Sequence, residues 1–363
     1  MMTRDELFSV KIKQPDEEIF LRAKAKWDAV AKPLDGLGDF EGLICRIAAI
    51  QGSVTPGLTK KTLLIMCADN GIVREGVSQT GQQVTCDVAS LMGQKKSSVG
   101  IMTRNYPLSI VPYDVGIATE ETPEGVMDRK VRCGTADFLQ EPAMQPSECL
   151  AAITVGIDAV ADQKKQHTDI IATGEMGIGN TTTSTALLCA ITGADPAEYT
   201  GRGSGLTDEG FLRKTEVIRE GLHLHLGSKA GSALMTAEDV FAALCCLGGL
   251  DIAALTGVFI GGAVNGVPVV IDGLISAVAA LCAQKILPGC RDFYIASHMG
   301  REKGMERILT ELCLRPVIHA DMALGEGTGA VMIFPLLDMA LSLYESGTKF
   351  ASTDIAQYER FGK

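Results

Sequence analysis

The chain has 363 residues and a formal net charge of −11, and 46% of it is hydrophobic. This suits a soluble α/β enzyme with a large core and speaks against a nucleic-acid partner, since phosphate binding needs a basic face. Eleven cysteines are scattered mostly through apolar runs (Cys67, Cys189, Cys282) without a CxxC pair; they read as reduced core cysteines of a cytoplasmic protein. The first ten residues carry no signal-peptide core. The most apolar stretches, Leu250–Val264 and Val267–Ala283, are interrupted by Asp251, Gly266, Asp272 and Gly273, short of the ~20 apolar residues of a membrane helix. No membrane partner is expected.

In chain order, residues 16–31 predict a helix, with Ile19, Ala23, Trp27 and Val30 at three- and four-residue steps; Phe40, Leu43, Ile44 and Ile47 line one face of a second. Both precede any strand and suit a small helical part or a dimer contact. Residues 61–68 read as the first buried strand, ending in Asp69-Asn70-Gly71, where ligand groups project from a parallel sheet. A polar loop over 75–83 leads to a helix over 84–93. A strand over 108–115 carries Asp114, and 117–145 reads as irregular surface. A helix over 148–163 leads into the central strand, 169–172. Beyond the centre lie a glycine-rich loop (Gly201-Arg202-Gly203-Ser204-Gly205-Leu206), a helix carrying Lys214, and a helix over 250–261. Strands are expected at 267–271, 293–297 and 317–318, then a glycine-rich turn and an apolar helix over 331–343. The polar tail after Gly347 is expected to be ordered only by contact with something else. Alternating strands and helices imply a parallel sheet covered on both faces.

The centre reads Thr173-Gly-Glu-Met-Gly-Ile-Gly-Asn-Thr-Thr-Thr183. A strand, a turn with three glycines and a helix start, with Asn180 or Thr181 as N-cap, make an anion site, because glycines admit a ligand close to free N–H groups. Glycines alone favour a tight βα connection with no ligand. Glu175 shifts the balance, since a carboxylate inside an anion-binding turn is costly without a proton or a cation to handle. Glu326 repeats the pattern in Leu324-Gly-Glu-Gly-Thr-Gly-Ala330. Lys214, a surface residue by default, could meet a phosphate as a point charge. The five histidines show no metal-ligand spacing; His298, at a strand end, is read as structural. No dinucleotide fingerprint follows the first strand, which leaves redox chemistry on a nucleotide unsupported.

These motifs resemble the nicotinate-nucleotide:5,6-dimethylbenzimidazole phosphoribosyltransferase family. The resemblance extends to Cys67–Gly71, Glu75–Val77, Val84-Thr85, Gly266–Gly273 and Ala296–His298, and runs collinearly through nearly the whole chain. It implies a Rossmann-like parallel sheet covered by helices (residues 61–335), with a smaller helical domain assembled from residues 1–60 and 336–363. It implies a dimer, either a homodimer or a heterodimer with a paralogue. The implied reaction moves phosphoribose from nicotinate mononucleotide onto an aromatic base, inverting C1′ and giving an α-ribotide for a cobamide (vitamin B12). No cofactor or metal is implied, because departure of the cationic nicotinate ring neutralises charge by itself.

By the same resemblance Glu326 is the general base and Glu175 a second active-site carboxylate. Lys214, Gly177, Ile178, Gly179, Asn180, Thr181, Gly203 and Ser297 hold the phosphate and ribose. Thr80, Val88, Met176 and Leu324 line the base pocket. Dimethylbenzimidazole-using members carry Ser and Gln where this chain has Thr80 and Val88, so the base could be dimethylbenzimidazole, adenine or a phenol such as p-cresol. The rival reading is a non-catalytic paralogue that binds nucleotides or stabilises a partner subunit; joint retention of Glu175, Glu326 and Lys214 argues against it.

Overall fold

Strand β1 (Lys61–Ala68) is buried at every position. Its side chains alternate between two cores: Leu64, Met66 and Ala68 enter one, and Leu63, Ile65 and Cys67 the other. A strand covered on both faces has no polar side to show, so its sequence reads as one apolar run. The computed structural model describes residues 2–203, 205–229 and 236–360; Ser204 of the second glycine loop lies outside them.

Around β1 stand β2 (Ser109–Gly116), β3 (Met127–Asp128), β4 (Ile170–Met176), β5 (Val269–Ile271) and β6 (Tyr294–Ala296). They form one parallel sheet in the order β3-β2-β1-β4-β5-β6. The order reverses between β1 and β4, and a doubly wound sheet opens its ligand crevice at the carboxyl ends of the strands flanking such a reversal. A second parallel pair, β7 (His298–Gly300) with β8 (Ile318–Met322), lies apart.

On one face of the sheet the helices Pro146–Lys165 and Leu250–Asn265 pack closely. Gly156 and Gly257 permit this: a Cβ on Gly156 would stand 2.6 Å from Val258 N, and one on Gly257 would stand 2.7 Å from Ile153 C. On the other face lie the helices Glu17–Asp28, Asp39–Gln51 and Thr328–Ser346, joined where the Trp27 and Tyr344 rings meet at 5.0 Å between centroids. The boundary expected at residue 335 falls at Pro335, inside the single helix Thr328–Ser346.

Several sequence expectations need correction. β4 runs to Met176, so Glu175 ends a strand rather than standing in a turn. The helix after it is capped by Gly179 (φ 96°), with Asn180 its first residue. The supposedly irregular stretch 117–145 contains β3. Of the strand expected at 317–318, only Ile318 is in a strand; it begins β8, outside the main sheet, where the pattern is mostly exposed and no core sets a period. The helices Arg4–Ser9, Ala237–Leu247, Leu274–Ile286 and Lys303–Glu311 were not anticipated; Leu274–Ile286 is buried at nearly every position and carries no polar stripe. The 19-residue helix Thr328–Ser346 is long and apolar enough to cross a bilayer, yet half of it is buried within the protein. The tail is held by the chain's own start: Val30 bridges Lys349, and Arg360 pairs with Asp28 and Asp35 at 2.7 and 2.8 Å.

Candidate active site

A cavity of about 320 Å³ opens at the carboxyl ends of β4 and β5. Its floor is the turn from β4 into the helix Asn180–Thr192, and Gly177, Ile178, Gly179, Asn180, Thr181 and Gly203 all reach it. Gly177 must be glycine: a Cβ there would stand 2.6 Å from Asp251 Oδ2 and 3.1 Å from Asn70 Nδ2. The Ile178, Asn180 and Thr182 amides donate to Thr85 Oγ1 and to the Gly177 and Gly179 carbonyls; those of Gly179 and Thr181 have no acceptor among the described residues and are the ones a bound anion could take.

Lys214 lies behind this floor, fully buried. Its ammonium donates to Thr181 Oγ1 at 2.9 Å and to the Gly201 carbonyl at 3.1 Å. An ammonium has three hydrogens, so one has no acceptor among the described residues, although Lys214 itself stands behind the cavity lining and not on it. A Cβ on Gly203 would sit 3.6 Å from Nζ, which places the charge just under that residue. Burial pulls the Lys214 pKa down to about 8, against a smaller pull from Glu302. An arriving phosphate would restore the full charge. Arg202, not singled out from the sequence, stands on the same wall, its guanidinium held by the Leu206 carbonyl at 2.9 Å and by Asp208.

The part of the cavity that adjoins this floor is acidic. Glu175 faces it from the end of β4, and Asn180 Nδ2 donates to its Oε2. The same nitrogen donates to Asp251 Oδ2 at 3.1 Å. Burial pushes Glu175 up to about 8 and Asp251 up to about 7. Asp272, beyond β5, accepts from the Ala330 amide at 2.8 Å at the start of the helix Thr328–Ser346; burial pushes it up to about 7. A signal for Asp272 was present in the sequence, since it closes a strand. Asp251, on the first turn of a helix, stood out only as a charge interrupting an apolar run.

The two glutamate loops touch. A Cβ on Gly174 would stand 2.9 Å from the Glu326 carbonyl oxygen, and one on Gly325 would stand 2.9 Å from Glu175 Oε1. Glu326 itself has a left-handed backbone (φ 59°), a conformation that costs a non-glycine residue of order 1 kcal/mol. Its Oε2 accepts from the Val99 amide at 3.1 Å. That directs the carboxylate to the rim, beside the cavity wall rather than on it.

The expected base pocket is only partly brought together. Met176 and Leu324 line the cavity, joined by Val77 and Ser78. Thr80 is exposed, and Val88 packs into the second core; neither reaches the wall. Ser297 does not reach it either. Fully buried, it donates to the Ile271 carbonyl at 2.6 Å and meets His298 Nδ1 at 2.9 Å, and His298 occupies the wall instead.

A family model described as phosphoribosyltransferase matches residues 12–355. The chain belongs to that family. It is similar to the nicotinate-nucleotide–dimethylbenzimidazole phosphoribosyltransferase of Clostridium tetani, with 37% identity over 96% of this chain and 94% of that one. The protein of the same name from Ruminiclostridium cellulolyticum is 38% identical over 99% of both chains. Among solved structures, CobT from Thermus thermophilus superposes with a TM-score of 0.86 at 35% identity, covering 94% of this chain and 100% of that one. This phosphoribosyltransferase therefore shares both sequence and fold with those relatives over almost its whole length.

Proposed function

We propose that this phosphoribosyltransferase moves phosphoribose from nicotinate mononucleotide onto an aromatic base, giving an α-ribotide for the lower nucleotide of a cobamide. One observation carries the reading: a helix start with the buried Lys214 ammonium behind it and a pair of touching glutamate loops meet at one cavity, Glu175 on its wall and Glu326 beside it. A 5′-phosphate suits the first. A cationic pyridinium, and the cationic ribose that forms as it leaves, suit the second.

The C1′–N bond breaks with its electron pair passing to the nicotinate ring, which leaves neutral. The base attacks C1′ from the opposite face and inverts it. The proton lost by the base passes to a carboxylate, for which Glu326 is our assignment. Glu175, beside it, faces the developing positive charge, whose arrival would favour the ionised form. The phosphate rests on Lys214, on residues 177–181 and on Gly203.

The wall made by Val77, Met176 and Leu324 is apolar, which supports an acceptor range beyond dimethylbenzimidazole that extends to phenols such as p-cresol, with adenine the poorer acceptor. A dimer is supported by exposed apolar side chains: Ile101 is 50% exposed, Met102 48% and Leu324 55%, and Met339, farther along the helix Thr328–Ser346, 63%. The contact between Trp27 and Tyr344 supports a small domain of residues 1–60 and 336–363 beside a large one of 61–335. Eleven unpaired cysteines, seven of them buried, support a cytoplasmic setting. The deciding experiment incubates the purified protein with nicotinate mononucleotide and dimethylbenzimidazole. Release of nicotinate with formation of an α-ribotide is expected; tight binding of nicotinate mononucleotide without transfer to any base would overturn the reading.

A further inference from the structure

We infer that His298 is a substrate-binding residue, accepting a hydrogen bond at Nε2 from a ribose hydroxyl of the bound nucleotide. The inference rests on the function proposed above. It begins with Ser297, whose single hydroxyl hydrogen is given to the Ile271 carbonyl at 2.6 Å. The 2.9 Å contact with His298 Nδ1 then leaves the serine oxygen as acceptor, so Nδ1 must carry the hydrogen. In the neutral ring Nε2 is consequently a bare acceptor. Burial lowers the pKa of His298 and favours that neutral form.

The ring cannot turn away. It lies against Gly329 in the first turn of the helix Thr328–Ser346, so close that no side chain fits at that position. Nε2 has no protein partner among the described residues, yet it is not among the buried atoms left unpaired, and the ring lines the cavity. An acceptor open to the site seeks a donor. The phosphate and the nicotinate carboxylate offer only acceptors, and Asp272 and Glu302 on the neighbouring wall make this region hostile to a carboxylate. The ribose hydroxyls are the donors the substrate has. The position agrees: His298 follows the end of β6 by two residues, and β6 stands two strands from β4, roughly 10 Å across the sheet. A sugar whose phosphate rests on residues 177–181 spans that gap.

The test compares kcat/KM for nicotinate mononucleotide and its 2′-deoxy and 3′-deoxy forms, with dimethylbenzimidazole as acceptor. In the unaltered enzyme, one deoxy form should be about tenfold poorer, the value of a net hydrogen bond whose buried partner is left unpaired. His298→Gln places an amide oxygen where Nε2 stands, and it should stay within about threefold of the unaltered enzyme and keep that penalty. His298→Asn matches Nδ1 and can keep the Ser297 contact, but offers nothing at the Nε2 position. It should lose about tenfold with the natural substrate and accept the deoxy form almost equally well. A purely structural histidine gives the opposite order, Asn better than Gln. That order, or a deoxy penalty that survives in His298→Asn, overturns the inference. Should His298→Asn fail to fold by circular dichroism, Ser297→Ala decides. It frees the tautomer and should shrink the deoxy penalty about twofold; an unchanged penalty counts against His298. Absence of any transfer by the unaltered enzyme would sink the proposed function instead, and calorimetric binding of the three nucleotides to the two His298 variants would still decide for or against His298.

Discussion

Glu175 and Asp251 share one side-chain amide: Asn180 Nδ2 donates to both, at 3.1 Å in the case of Asp251. Three elements converge there, the end of β4, the first residue of the helix Asn180–Thr192 and the first turn of Leu250–Asn265. One amide cannot replace the water that the fully buried Asp251 and the half-buried Glu175 have lost. Glu175 is accordingly pushed up to about 8 and Asp251 to about 7, chiefly by burial, and Asp272 to about 7.

A stability profile follows. In the unfolded chain these groups ionise near pH 4, so between there and pH 7–8 the folded form holds more protons than the unfolded one. Stability is then full below pH ~4 and falls as pH rises through the folded values, by at most about 1.4 kcal/mol per pH unit for each group. Glu175→Gln, which keeps the shape and cannot ionise, should gain on the unaltered protein from pH 5 to pH 8 and level off above. Urea unfolding at pH 5, 6, 7, 8 and 9 measures this. A difference independent of pH would show that Glu175 is not buried as described.

Lys214 makes a second prediction. Its ammonium already has two protein acceptors and keeps one hydrogen for a phosphate. Lys214→Ala should raise KM for nicotinate mononucleotide about tenfold to a hundredfold, the range of a charged hydrogen bond. KM for the base should move far less. Equal effects on both substrates would place the lysine's work elsewhere.

The contact between Gly174 and Glu326 ties the two loops into one device. Glu326→Gln should reduce turnover about 10²–10⁴-fold, the usual range for a general base, and a variant within a few-fold of the unaltered enzyme would remove Glu326 from that role. Gly174→Ala tests the contact itself. Its methyl group would press on the Glu326 carbonyl at 2.9 Å and the Gly327 amide at 3.0 Å, both backbone atoms. It should cost about 1–3 kcal/mol of stability and lower kcat through the displaced Glu326. Unchanged kcat and stability would mean that the loops part freely.

The sheet and the anion floor were legible in the sequence for one reason: local pattern alone determines them. An unbroken apolar run marked β1 to the residue, and three glycines ahead of an Ala/Leu-rich run marked the turn at 177–181. What stayed hidden depends on tertiary contact. Nothing local tells that Glu175 continues β4 by pairing beside Met66, or that Asp251 meets Asn180 across 71 residues. Ser297 and His298 are neighbours at a strand end, and period alone cannot say which faces the ligand. The pleat points Ser297 at the Ile271 carbonyl and so gives the wall to His298. Thr80 and Val88 show the converse. Placed by likeness to relatives, they lie on a loop and a helix face that the cavity does not reach.

That placement bears on the last prediction, the choice of base. If Val88 does not touch the ligand, it cannot supply or withhold a polar contact directly. The acceptor then meets Val77, Met176 and Leu324, with the Ser78 hydroxyl as a side-chain donor beside Val77. Such a surface favours flat apolar rings. A second ring nitrogen buried there without a partner costs about 1–3 kcal/mol, or roughly tenfold to a hundredfold in kcat/KM. Adenine, with several polar edges, should therefore be poorer than dimethylbenzimidazole by at least about tenfold. p-Cresol presents one hydroxyl and an otherwise apolar ring, and should be accepted, because a carboxylate able to take a proton from a benzimidazole can also polarise a phenolic O–H. Met176→Gln brings an amide to the same wall and should narrow the gap between adenine and dimethylbenzimidazole while lowering transfer to p-cresol. The measurement is kcat/KM for the three acceptors at saturating nicotinate mononucleotide, in the unaltered enzyme and in Met176→Gln. Adenine used as well as dimethylbenzimidazole, with no phenolic ribotide detected, would show that polar groups beyond this wall select the base.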